Sequence, residues 1–226
     1  DNDGFVDLAL SAGKGIQLWH NEKNGSFKNV TEAAGLTSED FAFGLAFVDY
    51  DHDGDLDLLI GGASSLWRNN GNGTFTVVSE EKGFAREGAI KCTGNVIGSD
   101  LNNDRAIDLV STCPSGPPLI YLNPREGKFP VMKWPSTVPT SEDGVTVLDF
   151  NHDGWMDLTF TSMRSPAFTL WHNDHGKSFD LIEGLETNWA RAFGMARKAY
   201  VRHRSSFQAY RWARWPAYRR AHWLAN

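Results

Sequence analysis

The sequence has few cysteines, no long apolar run and none of the short motifs that mark common catalytic sites. Only two cysteines occur among the 226 residues, which excludes a dense disulfide framework. No apolar run approaches the roughly 18 residues of a membrane-spanning helix. The motifs G-x-S-x-G, H-E-x-x-H and C-x-x-C and the P-loop are missing, so the chemistry they serve has no support. No signal peptide is visible, but the sequence starts inside a repeated motif, which makes that absence uninformative.

Basic residues are scarce over most of the chain. Eight of the 22 Lys and Arg lie in residues 197–226, which hold no Asp or Glu, so residues 1–196 carry 14 basic against 28 acidic residues. An acidic body suits cation binding and argues against a nucleic-acid partner. Hydrophobic residues make up 41% of the chain, which excludes a disordered protein.

Acidic residues are concentrated in the loop Asp49-Tyr-Asp-His-Asp-Gly-Asp-Leu-Asp57, at loop positions 1, 3, 5, 7 and 9, with Gly54 at position 6. Carboxylates this close repel one another, and Ca²⁺ removes the repulsion by taking about 6–8 oxygen ligands. The EF-hand loop also begins D-x-D-x-D-G, but a Glu at its twelfth position closes it. Here Asp57 closes the loop early and an apolar run typical of a strand follows. We therefore predict a calcium loop that joins two strands.

The loop recurs at a fixed period. Loops with the same spacing begin at residues 100 and 149, which gives intervals of 51 and 49 residues, and Asp1–Asp7 is the same loop entered at its third position. A second motif recurs in phase and indicates a hairpin turn, because an Asn and a Gly separate two apolar stretches. Its four copies begin Leu18-Trp-His-Asn, Leu66-Trp-Arg-Asn, Ile120-Tyr-Leu-Asn and Leu170-Trp-His-Asn.

Each repeat of about 50 residues contains four short apolar segments, which matches the four-stranded blade of a β-propeller. The runs Leu56–Ile60 and Val145–Phe150 are almost continuously apolar, so we expect both strands to be covered on both faces. The strands predicted for the second repeat are Gly44–Asp49, Leu56–Gly61, Ser64–Asn69 and Thr74–Val78.

These motifs resemble the FG-GAP/VCBS repeats of extracellular calcium-binding β-propellers such as integrin α-subunit heads. The segment Phe27-Lys-Asn-Val-Thr-Glu-Ala-Ala-Gly-Leu36 is similar to the linker between blades in ASPIC/UnbV-type and cartilage-acidic-protein-like members. The resemblance covers residues 1–196. It implies an all-β fold: an incomplete propeller of about four blades of four antiparallel strands, with calcium loops in the blade hairpins. It also implies a secreted, cell-surface or periplasmic role in structure, adhesion or binding of a protein or glycan ligand.

Carried over residue by residue, the resemblance implies a set of calcium ligands in each loop. Asn151 keeps an oxygen ligand but removes a charge, which should lower affinity. Arg105 replaces the turn glycine, and a positive φ there costs about 1 kcal/mol. The first loop is at best a partial site. The ligands are Asp49, Asp51, Asp53, Asp57 and the Asp55 carbonyl; Asp100, Asn102, Asp104 and Asp108; Asp149, Asn151, Asp153, Asp157 and the Trp155 carbonyl; and Asp1, Asp3 and Asp7.

Other residues have structural explanations beside functional ones. His52 and His152 occupy the fourth loop position and should point to solvent, while His20 and His172 follow the hairpin Trp. Trp19, Trp67 and Trp171 recur in register with Tyr121, which favours packing between blades over a sugar-stacking platform. The triplets at Asn24, Asn29 and Asn72 are glycosylation acceptors only in a eukaryotic secretory pathway.

Two further alternatives stay open. Cys92 and Cys113 flank the third loop, so they could form a disulfide, if their Cα atoms come within about 7 Å, or remain buried thiols. The protein is most simply non-enzymatic, but a fragment of a secreted propeller enzyme such as a polysaccharide lyase is the alternative. The modest basic candidates for such a site are Arg86, Lys91 and Arg105.

The repeat ends abruptly. Phe193-Gly-Met-Ala196 aligns with Phe43-Gly-Leu-Ala46, so a fifth loop is due at residue 199, but residues 197–226 are basic and aromatic instead. A reading-frame shift in the gene, a segment that contacts an anionic membrane or a partner, and a disordered tail each explain this change. An incomplete propeller would also leave blade faces unpaired and prone to association.

Overall fold

The computed structural model describes residues 1–11, 15–37, 42–61, 65–84, 94–113, 116–134, 143–162 and 168–183. The chain divides into two units, Asp1–Asn188 and Trp189–Asn226, and all described residues belong to the first. Predictions for Arg86, Lys91 and Cys92, for the fifth repeat and for residues 197–226 lie outside the described residues.

The described residues form fourteen strands in four antiparallel sheets and no helix, which confirms the all-β class. Within them, no helix is long and apolar enough to cross a membrane. The strands of the second repeat begin and end within one residue of their predicted bounds. The four sheets comprise β1 (Leu8–Ser11), β2 (Ile16–Asn21) and β3 (Phe27–Asn29); β4 (Leu45–Val48), β5 (Asp57–Ile60), β6 (Ser65–Asn69) and β7 (Phe75–Val77); β8 (Val96–Ser99), β9 (Asp108–Ser111) and β10 (Leu119–Tyr121); and β11 (Gly144–Leu148), β12 (Asp157–Thr161), β13 (Phe168–Asn173) and β14 (Phe179–Leu181).

The predicted four strands are present in the second and fourth sheets, whereas the first and third have three. The first sheet begins with β1, the strand that follows the loop Asp1–Asp7. In the third, a fourth segment pairs only through the isolated bridge between Tyr121 and Val131. Pro130 explains this, because its carbonyl accepts the Leu122 N–H at 2.9 Å but proline has no N–H to return.

Successive sheets pack face to face, with β1 near β4, β4 near β8 and β8 near β11. Side chains alternate between the two faces of a strand, so Leu58 contributes to the apolar cluster shared with the first sheet and Leu59 to the cluster shared with the third. Every residue of β5 and β9 is buried. The prediction for Leu56–Ile60 is thus confirmed from Asp57 onward, and the stack of sheets is propeller-like.

The same prediction was wrong for Val145–Phe150. Val145 and Val147 pack against the cluster between the third and fourth sheets, but Leu148 and Phe150 are 37% and 38% exposed. The reason is position in the stack. Among the described residues, no further sheet covers the other face of β11.

Candidate metal centre

The last Asp of each complete loop is fully buried and binds backbone N–H groups. Asp57 accepts the N–H of Tyr50 at 3.1 Å, inside its own loop, and that of Asn69 at 2.8 Å, on the hairpin strand β6. Asp108 and Asp157 make the same pair of bonds in their repeats. Burial, reinforced by nearby carboxylates, raises the pKa of Asp57 to about 7 and that of Asp108 to about 6. This residue joins each loop to the strand beside it.

Two positions of every loop have positive φ. The sixth position was predicted to need it, and Arg105 does adopt φ 67°, where the other loops have glycine. The fourth position was not predicted. Its occupants are Asn and His, which tolerate this conformation better than most residues, and both His52 and His152 are exposed as expected. The φ values at the fourth position are 58° for Asn2, 61° for His52, 56° for Asn103 and 61° for His152.

The fourth loop is closed by hydrogen bonds to its first carboxylate. Asp149 accepts the N–H groups of Asp153 at 3.1 Å and Gly154 at 3.0 Å. The Asn151 amide donates to Asp153 at 2.8 Å. Hydrogen bonding from backbone and amide donors keeps the pKa of Asp153 below its usual value. The carboxylates of this loop are therefore well supplied with donors.

The third loop repeats this network and adds a cation of its own. Asp100 accepts the N–H groups of Asp104 and Arg105, and Asn102 donates to Asp104. The guanidinium of Arg125, on the hairpin after β10, donates to the Asp104 carbonyl at 2.7 Å. A fixed positive charge at the loop reduces its attraction for a metal cation.

The second loop has a different arrangement. Oxygens of Asp49, Asp51 and Asp57 lie within 4.8 Å of one another. One oxygen of Asp49 and one of Asp51 are buried without a hydrogen-bond partner. Burial raises the pKa of Asp51, and the Asp53 carboxylate adds to the shift. Buried carboxylate oxygens without donors are costly, and a cation among the three carboxylates would remove the cost.

In the first loop, Asp1, Asp3 and His20 form the second such group found among the described residues. Nδ1 of His20 lies 3.1 Å from both Asp1 and Asp7. The ammonium of Lys23 lies 3.0 Å from Asp3 and would compete with a metal ion for that carboxylate.

A family model described as "FG-GAP-like repeat" matches residues 1–60 and 100–160, which together are more than half of the chain. The chain belongs to this family. Among solved structures, it is similar to the Photorhabdus luminescens Tc holotoxin pore, with 20% identity and a TM-score of 0.45 over 79% of this chain. The chain spans only 9% of the chain it matches there. No curated protein matches it significantly.

Both stretches matched by the FG-GAP-like family contain two acidic loops, so all four loops lie within the matched residues. The structure brings together Asp49, Asp51 and Asp57. Asp55, predicted to offer its carbonyl, turns its side chain to the Asn2 amide of the first loop at 2.7 Å. The other predicted backbone ligand is the carbonyl of Trp155. The N–H of this residue donates to the Asp153 carboxylate at 2.8 Å.

Sequence reasoning missed the role of the Asn at the fourth position of each hairpin motif. In all four repeats its amide donates to the carbonyl just before the last Asp of the loop, and its oxygen accepts an N–H in the following turn. The recurrence of Asn at this position was the available signal. The four residues are Asn21, Asn69, Asn123 and Asn173.

Proposed function

We propose that this FG-GAP-like chain is a non-enzymatic, calcium-stabilised propeller scaffold that acts outside the cytoplasm, where it binds a protein or glycan ligand in adhesion or recognition. The observation that carries the proposal is the second loop, where Asp49 and Asp51 each bury an unpartnered oxygen beside Asp57. An all-oxygen, strongly anionic set suits a hard cation such as Ca²⁺. Secretion fits such a role, because millimolar extracellular calcium can fill sites of modest affinity.

The four loops should differ in affinity. The second loop would hold calcium through Asp49, Asp51, Asp53 and Asp57, with the Asp55 carbonyl. The fourth loop offers the same positions with one negative charge fewer, and oxygens of Asp149 and Asp153 already accept hydrogen bonds. Arg125 disfavours the third loop, and Lys23 disfavours the first.

A scaffold role accounts for the aromatic residues better than a sugar-stacking platform does. Trp67, Tyr121 and Trp171 are 9%, 4% and 0% exposed, because they pack between sheets, as predicted from their recurrence. Trp19, in the first sheet, is only partly buried. The polysaccharide-lyase alternative has no comparable observation in its favour among the described residues, where Arg105 is the one basic candidate to appear. The narrower ASPIC/UnbV-type assignment stays a prediction from the linker sequence.

Thermal melting with calcium and with excess chelator tests the proposal. We expect calcium to raise the melting temperature and the chelator to reverse the increase, since a ligand that binds only the folded state stabilises it. The double variant Asp49→Asn, Asp51→Asn should lose most of this response. Asp180→Asn, which neutralises an exposed acid on β14 outside the loops, should keep it. A melting curve that excess chelator leaves unchanged would show that the metal assignment is wrong.

A further inference from the structure

Asn123, in the third repeat, reaches across to the acidic loop of the second. Its amide nitrogen donates to the carbonyl of Tyr50 at 2.7 Å and to the carbonyl of Ile107, in its own repeat, at 3.1 Å. Asn123 is 1% exposed and Tyr50 is 2% exposed. A buried hydrogen bond of this kind has no water to replace it, so the two backbones are firmly tied.

Tyr50 lies between Asp49 and Asp51, the two residues whose buried oxygens have no partner. Its N–H is held by Asp57, and its carbonyl by Asn123. Its ring packs in the cluster between the second and third sheets, with its centroid 6.2 Å from that of Phe129. The two peptide groups that join Tyr50 to Asp49 and to Asp51 are therefore both held, the first from within the loop and the second from the next repeat.

The same bond recurs one repeat further on. The Asn173 amide donates to the carbonyl of Leu101 at 2.7 Å and to that of Met156 at 2.9 Å. Leu101 occupies in the third loop the position that Tyr50 occupies in the second. The bridge is thus a feature of the repeat and supplies a matched pair of positions, one serving the second loop and one serving the third.

We infer that Asn123 is a positioning residue for the cation site of the second loop, so that the affinity of a loop is set in part by the repeat that follows it. This inference rests on the proposed calcium binding. Rotation of the Tyr50–Asp51 peptide group would move the Asp51 carboxylate away from those of Asp49 and Asp57. Residues that orient metal ligands commonly change affinity by about 10–100-fold when they are replaced. Loss of the Asn123 bond should therefore weaken the second site about tenfold.

Calcium titration of the full chain by calorimetry tests this, with Asp51→Asn identifying the heat that belongs to the second loop. Asn123→Ser keeps a polar side chain too short to reach Tyr50. Asn173→Ser makes the equivalent change toward Leu101 and is the matched control. Both variants remove equivalent buried bonds, so they should lose similar stability in calcium-free buffer. Asn123→Ser should bind calcium at the second loop about tenfold more weakly, and Asn173→Ser should bind there as the wild type does.

An unchanged second-loop affinity in Asn123→Ser overturns the inference. An equal loss of second-loop calcium affinity in both variants also overturns it, since that would be a general effect of lower stability. If Asn123→Ser does not fold without calcium, Asn123→Gln replaces it, because it keeps the amide but moves it by one methylene. It should weaken binding to a lesser degree, and wild-type affinity would again contradict the inference. Failure of the wild-type protein to take up calcium is a separate result that counts against the proposed function itself.

Discussion

Arg105 holds the backbone conformation that glycine holds in the other three loops. Its φ is 67°, in the left-handed region, where an L side chain costs about 1–2 kcal/mol. A glycine at this position would avoid that cost, but it would lose more conformational entropy on folding, which offsets part of the benefit. Arg105→Gly should therefore raise the free energy of unfolding by about 0.5–1 kcal/mol. Urea denaturation, with calcium absent, measures the change.

Gly154→Ala is the reverse test at the equivalent position. A Cβ at Gly154 would meet nothing within 4 Å, and the residue has φ 85°, so any loss of stability comes from the backbone conformation alone. We expect a loss of about 1 kcal/mol. A neutral Gly154→Ala together with an unimproved Arg105→Gly would mean that the loop relaxes to fit either residue.

Asp57 and Asp51 should behave differently although both are predicted ligands. Asp57 is completely buried and accepts two backbone N–H groups. Asp57→Asn would place an NH₂ group against one of those donors, so it should cost about 2–3 kcal/mol even in excess chelator. Asp51→Asn removes a repelled carboxylate and should cost little in chelator but reduce the gain from calcium. Urea denaturation with and without calcium separates the two effects, and equal losses in chelator would contradict this division of roles.

Some residue-level features of the acidic loops were predictable from the sequence, whereas others depend on contacts that only the fold creates. The positive φ of Arg105 was predicted, because the D-x-D-x-D-G pattern places the turn glycine at that position. The positive φ at the fourth position and the bond from Asn123 to the Tyr50 carbonyl were not predicted. A local sequence pattern does not show which backbone groups of another repeat lie nearby. The unpartnered oxygens of Asp49 and Asp51 were likewise invisible, because they depend on which N–H groups the folded loop presents.

Among the strands, close approach of neighbouring sheets imposes a requirement on Gly61. A Cβ there would overlap the carbonyl oxygen of Gly94, a backbone atom at the start of the third repeat. Gly61→Ala should therefore destabilise the chain by about 2–3 kcal/mol, as overpacking does in rigid surroundings. Its φ is not in the left-handed region, so space is the cause. Thermal or urea denaturation measures the loss.

Gly144→Ala, on β11, is the matched control for Gly61→Ala. The added Cβ would lie 2.5 Å from the Thr161 hydroxyl, which can rotate away because it ends a side chain on an exposed position. We expect a loss below about 1 kcal/mol. Similar losses at the two glycines would contradict the view that backbone contact between the second and third sheets limits Gly61.

The positions of the strands were predictable from the sequence, but the burial of their two faces was only partly predictable. The run at β5 and the run at β11 look alike in sequence, and each has the apolar content of a strand with two covered faces. β5 lies between two sheets and is buried throughout. β11 has a partly exposed face, because coverage depends on the next sheet in the stack and not on the residues of the strand itself.

Across the whole set of described sheets, the first exposes side chains that the others bury. Leu8 is 40% exposed, whereas Leu58, Leu109 and Leu158, which follow the last Asp of their loops in the same way, are 0% exposed. Leu10 lies two residues further on the same face and is 46% exposed. An apolar sheet face of this kind favours association. The chain should therefore self-associate in a concentration-dependent manner, as size-exclusion chromatography with light scattering would show.

The double variant Leu8→Gln, Leu10→Gln should reduce that association without lowering the free energy of unfolding by more than about 1 kcal/mol, since neither side chain is buried. Val77→Gln is the control. Val77 is 53% exposed, but it lies on β7, an edge strand of the second sheet, and not on the first sheet. It should leave association unchanged. The docking partner expected for this face is another sheet of the same kind, because the equivalent faces of the second, third and fourth sheets each pack on the sheet before them. A wild-type chain that stays monomeric at high concentration, or an equal effect of Val77→Gln, would exclude the first sheet as the associating surface.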